Sequence, residues 1–120
     1  NKHLLDYNLL RICKHDFFPF FINNSFLKYS SHPITVPKSQ VIYKNLVEDN
    51  LDKGDFILIL PKGEILKSHI YYGISSYGEY YQIRTYSGQN IPSYLLLNDQ
   101  LIVILFRYNR KSYCVLEYYQ

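Results

Sequence analysis

The sequence has no tryptophan, no methionine and only two cysteines in 120 residues. Cys13 and Cys114 are too few for a disulfide framework or a cysteine-based zinc site. Free thiols fit a reducing compartment; a single Cys13–Cys114 bridge is the other arrangement they allow. Long apolar runs are also missing. The longest, Leu101–Phe106, has strand length and falls far short of a bilayer span. The first residues lack the layout of a signal peptide. His3, His15 and His32 are scattered without metal-ligand spacing, and there is no glycine-rich phosphate loop. The reading therefore includes no metal and no cofactor. Charge of one sign is not in large excess either. Thirteen basic and ten acidic residues give a net +3, too little by itself to imply nucleic acid.

What is present is tyrosine, fourteen of them, within a chain that is 48% hydrophobic. That supplies enough apolar material for a core, and the length fits one domain over residues 1–120. Two parts differ in pattern. Residues 1–50 read as helix and loop, and residues 51–120 as antiparallel strands. Leu5, Leu9, Ile12 and Cys13 fall at i, i+4, i+7 and i+8, which predicts a helix over 1–18. Pro19 ends or kinks it, since a proline ring clashes with the carbonyl four residues back. Asn23-Asn24-Ser25 is turn chemistry, and residues 30–38, with Pro33 and Pro37, read as extended loop. Ser39 caps a short second helix with Ile42, Leu46 and Val47 on its inner face.

Strands follow. Phe56–Leu60 is a nearly continuous apolar run, Ser68–Ile74 and Glu79–Tyr86 are rich in Tyr and Ile, and Leu101–Phe106 with Ser112–Tyr118 makes a hairpin. The predicted class is α+β: an N-terminal helix and a short second helix packed on a five- to six-stranded antiparallel half-barrel.

A four-residue loop between Ser68–Ile74 and Glu79–Tyr86 sets Ile74 opposite Glu79 and His69 opposite Arg84. His69, Tyr71, Gly73, Tyr80, Gln82 and Arg84 then share one face, with Gln82 diagonally across from His69. A histidine beside an amide is the orienting pair that nucleophilic catalysis needs. Cys13 is the nucleophile this arrangement would take, with Lys14 and His15 favouring its thiolate and Asp16 opposing it.

Cys13, the stretch Leu51-Asp52-Lys53-Gly54-Asp55-Phe56-Ile57, the stretch Ser68-His69-Ile70-Tyr71-Tyr72-Gly73-Ile74, and Gln82 come in an order that resembles the NlpC-type papain-fold cysteine hydrolases and their CHAP and LRAT-like relatives. The resemblance covers roughly residues 10–87. It implies a papain-like fold and cleavage of a peptide or amide bond, or acyl transfer, on a peptide or acyl substrate. It also implies Cys13 as nucleophile, His69 as base and Gln82 as orienting residue, with no metal or cofactor. The family's cysteine opens a helix and is followed by small residues, whereas Cys13 comes late in its helical pattern and precedes Lys14-His15-Asp16. Cys114 would supply a permuted version, as in the LRAT-like branch, although its surroundings read as a strand.

The alternative is a catalytically inactive β-barrel module that contacts RNA or a protein partner. Tyr71 and Arg84 are its binding residues on the His69 face, beside Tyr80 and Tyr86. Arg107, Tyr108, Arg110, Lys111 and Tyr113 gather at the last hairpin. Aromatic rings interleaved with cations hold single strands. Each residue also has a plainer use: His69 as a surface residue, Cys13 as a small buried apolar group, Gln82 as a solvated strand residue.

Overall fold

The computed structural model describes residues 15–119. Seven strands form one sheet: β1 (His15–Phe21), β2 (Ile34–Thr35), β3 (Asp55–Ile59), β4 (Ile65–Ser75), β5 (Gly78–Thr85), β6 (Gln100–Tyr108) and β7 (Lys111–Tyr118). Two short helices interrupt them, α1 (Asn24–Lys28) and α2 (Gln40–Glu48). The strand order is β1-β6-β7-β3-β4-β5-β2, and the sheet curls into a nearly closed barrel. Every pairing is antiparallel except β3 with β7, which is parallel, Phe56 facing Ser112 and Leu58 facing Cys114.

This corrects the α+β expectation. Residues 15–18, the described end of the predicted helix, are strand. Phe18, Phe20 and Ile22 are buried while Phe17, Pro19 and Phe21 point outward. That is a period of two, and each buried phenylalanine adds on the order of 1.5–3 kcal/mol of burial. Pro19 is tolerated because β1 is an edge strand, where a missing N–H interrupts no ladder. The rest of the predicted helix, including Cys13, lies outside the described residues. The sheet has seven strands rather than five or six, and its parallel pair departs from a purely antiparallel half-barrel. A helix-on-sheet papain-like architecture is accordingly not what residues 15–119 form.

The helices occupy the gap between the sheet's two edges. Asn23 caps α1, its side chain accepting from Phe26 N at 2.8 Å. Phe26 sets its ring edge-on to Phe20 of β1, 5.4 Å between centroids. Ser39 caps α2 as expected, accepting from Ile42 N at 3.3 Å. Leu46 is buried and Ile42 half-buried, but Val47 faces solvent and Tyr43 takes the inner position against Tyr81 of β5. From the same helix, Asn45 Nδ2 donates to Asp16 Oδ1 of β1 at 2.9 Å. Thus α2 touches β1 on one side and β5 on the other. One main core cluster runs from Phe18 to Leu116 and draws on both halves of the chain. A smaller one, Ile59, Phe106 and Val115, lies on the opposite face of the sheet. Among the described residues, no helix is long and apolar enough to cross a membrane.

Candidate anion-binding cleft

The β4–β5 hairpin forms in the register read from the sequence. Ile74 faces Glu79, His69 faces Arg84 and Tyr71 faces Gln82. Pairing continues to Ser75 and Gly78, which leaves a two-residue loop and the same parity. Ile70 and Ile83 point into the core, so His69, Tyr71, Gln82 and Arg84 share the outer face.

On that face Gln82 keeps its diagonal position to His69, and its amide bonds to other residues. Gln82 Nε2 donates to Thr35 Oγ1 of β2 at 3.0 Å, and Gln82 Oε1 accepts from Arg84 Nε at 2.9 Å. The amide therefore ties β2 to β5 and positions Arg84. Asp55 of β3 stands opposite His69, and the Tyr86 ring lies on the imidazole with 4.6 Å between centroids. The Tyr86 hydroxyl donates to Asp55 Oδ1, and this bond, ahead of burial and the carboxylate charge, holds the phenol proton above its ordinary range. Cys114 is a free thiol buried in the core, on the other face of the sheet from His69. Burial pushes its pKa up strongly, which disfavours the thiolate. The expectation that its segment is a strand holds, since it lies within β7.

Next to Asp55 and Tyr86 opens a cleft of about 620 Å³. Its walls come from the start of β3, the first part of β4 and the tip of the β6–β7 hairpin. They carry Lys53, Lys67, Arg107, Arg110 and Lys111, with Asp55 as the one acidic residue. Five of the chain's thirteen cations thus meet one of its ten carboxylates. The net charge is small, but the cleft concentrates it.

Each wall is held in place. Lys67 N donates to Gln89 Oε1 at 2.7 Å, and Gln89 Nε2 donates back to Lys67 O at 2.7 Å and to Tyr86 O at 3.1 Å. One side-chain amide thereby continues the ladder beside Lys67 and fixes both it and Tyr86. Arg107 Nη1 donates to Ser112 Oγ at 3.0 Å across the hairpin. Arg110 sits in the two-residue turn between Tyr108 and Lys111, where Asn109 and Arg110 both take positive φ, 55° and 67°. A turn of that kind matches the twist of its strands and ordinarily favours glycine second.

The sequence pointed to Arg107, Arg110 and Lys111 as a cluster. It did not bring Lys53 and Lys67 to them, because only the parallel β3–β7 pairing does so. Alternation along β4, which puts Lys67 on the His69 face, was the available signal. Among the described residues, no group of three or more His, Cys, Asp or Glu side chains is arranged to hold a metal. No family model matches the chain, and no curated protein or solved structure matches it either.

Proposed function

We propose that this protein is a non-catalytic binding module that takes a phosphate-rich polyanion, such as an RNA backbone, into the cleft beside Asp55 and Tyr86. The observation that carries this reading is the gathering of Lys53, Lys67, Arg107, Arg110 and Lys111 around a single carboxylate. Lysines supply mobile point charges, and arginines supply forks that match phosphate oxygens. The hydrolase alternative fits the geometry less well. Its base, His69, packs at a tilt against Tyr86, while its orienting amide, Gln82, is committed to Thr35 and Arg84.

The test is binding of a labelled RNA oligonucleotide at 50 and 200 mM salt, repeated with the Lys67→Gln/Arg107→Gln double variant. Phosphate contacts release counterions, so log affinity falls linearly with log salt. The double variant is expected to bind more weakly and to flatten that slope by about 2. Absence of binding at the lower salt, or affinity indifferent to salt, would refute the reading.

A further inference from the structure

We infer that the ligand is single-stranded nucleic acid, with its backbone in the cleft and its bases on the outer face of the β4–β5 hairpin. The inference rests on the polyanion reading above and adds strandedness and a base-binding surface to it. The cleft does not end at its cationic wall. Tyr86 forms part of that wall and also lies on His69, 4.6 Å between ring centroids. Across the same face, the Arg84 guanidinium sits 3.6 Å above the centre of the Tyr71 ring, and Tyr80 lies 6.0 Å beyond Tyr71. From the cleft toward the hairpin tip the order is thus Tyr86, His69, Arg84, Tyr71 and Tyr80, four rings with one guanidinium among them.

Gly73 lets the Tyr71 and Tyr80 rings close over β4. A Cβ there would stand 2.5 Å from a ring carbon of Tyr80 and 2.8 Å from one of Tyr71. Only a residue without a side chain lets the two rings spread over the strand. Arg84 spends its Nε on Gln82, and a guanidinium has four further N–H donors for a phosphate.

A sulfated or phosphorylated chain without bases would use the cations and leave these rings idle. A duplex hides its base faces within its own stack, whereas a single strand exposes them to aromatic side chains. The aromatic continuation thus favours the single strand over both.

The experiment measures affinity by fluorescence anisotropy for a labelled ten-nucleotide oligouridylate at low salt. A short RNA duplex and heparin serve as competitors. Tyr71→Ala and Tyr86→Ala are each expected to weaken oligouridylate binding about tenfold. Tyr86→Phe, which keeps the ring and loses the hydroxyl that Asp55 accepts, is expected to bind more tightly than Tyr86→Ala. Tyr71→Leu, which keeps apolar area without the aromatic face, is expected to follow Tyr71→Ala. Thermal melts confirm that each variant folds. Duplex and heparin competing as well as the single strand, with the alanine and leucine variants binding normally, would overturn the inference and leave the cleft reading intact. Failure of oligouridylate, duplex and heparin alike to bind would overturn both.

Discussion

The β4–β5 and β6–β7 hairpins use their inner faces alike and their outer faces differently. Inside, Ile70 and Ile83 of one and Val103, Leu105 and Leu116 of the other pack into the same core. Outside, β6–β7 carries a dry patch in which Phe106 and Val115 are buried and Phe106 stacks on Tyr113 at 5.0 Å. The outer face of β4–β5 instead carries His69, Tyr71, Gln82 and Arg84, partly open to water.

The turns differ in the opposite sense. At the β4–β5 turn the positive φ, +104°, falls on Gly78. At the β6–β7 turn a comparable backbone burden falls on Arg110, at φ 67°. One hairpin has a relaxed tip and a polar face, the other a strained tip and a packed face. Strain of this kind persists where the side chain is wanted for something else, and Arg110 lines the cleft.

The largest expected effect separates the outer faces. Phe106→Ala should cost about 3–5 kcal/mol in urea unfolding, as loss of a buried ring does. Tyr71→Ala should cost about 1 kcal/mol, the scale of its contact with Arg84. Equal losses would erase the distinction between a packed face and a presented one.

The tips come next. Gly78→Ala should destabilise by about 1–2 kcal/mol, because it places a Cβ at positive φ. The site is otherwise open, the nearest atom being Lys38 Nζ at 3.6 Å, so the cost is one of backbone conformation and not of collision. Arg110→Gly should act in reverse, adding about 0.5–1 kcal/mol of stability while weakening polyanion binding. A stabilised variant that binds RNA undiminished would show that Arg110 is not kept for its charge.

The smallest effect concerns the end of β7 away from the tip. Burial, then a hydrogen bond to Glu64 at 2.7 Å, raise the Tyr94 pKa well above its ordinary 10.0. Tyr118, whose hydroxyl donates to Tyr94 O at 3.3 Å, is raised as well, first by burial. A proton held more tightly in the folded state stabilises it below the unfolded pKa and withdraws that support as pH rises. Stability should therefore decline as pH climbs past 10, and Tyr94→Phe should make the decline shallower, as followed by chemical denaturation across pH 9–11. The β4–β5 outer face has its own raised phenol, Tyr86, but an exposed one, so Tyr86→Phe should change the alkaline decline less.

What could be read from the sequence follows the distance over which each feature is decided. The β4–β5 register was legible because strand alternation and one short loop set it. The cap at Ser39 was legible for the same reason. At the N-terminal end, apolar spacing over Leu5–Cys13 extended a helical reading into a segment whose phenylalanines alternate by two, and Pro19 looked like a helix stop when it marks an edge strand. Asn23, read as turn chemistry, proved to be the cap of α1. β2 is two residues long between prolines, and its pairing with β5 is tertiary. The cleft was the least legible of all, since Phe56 meets Ser112 with no local pattern to announce it.

The central place of β7 bears on how the protein is made. β7 is the last described strand in the chain, yet it lies between β6 and β3 in the middle of the sheet. A ribosome releases β1 through β6 first, and until Tyr118 has emerged β3 keeps a bare edge and no strand pairing joins β1 and β6 to the rest of the sheet. Strand edges left open in this way pair readily with other chains. Pairing of the sheet is thus completed late in synthesis, and β3 is most open to wrong partners just before β7 arrives.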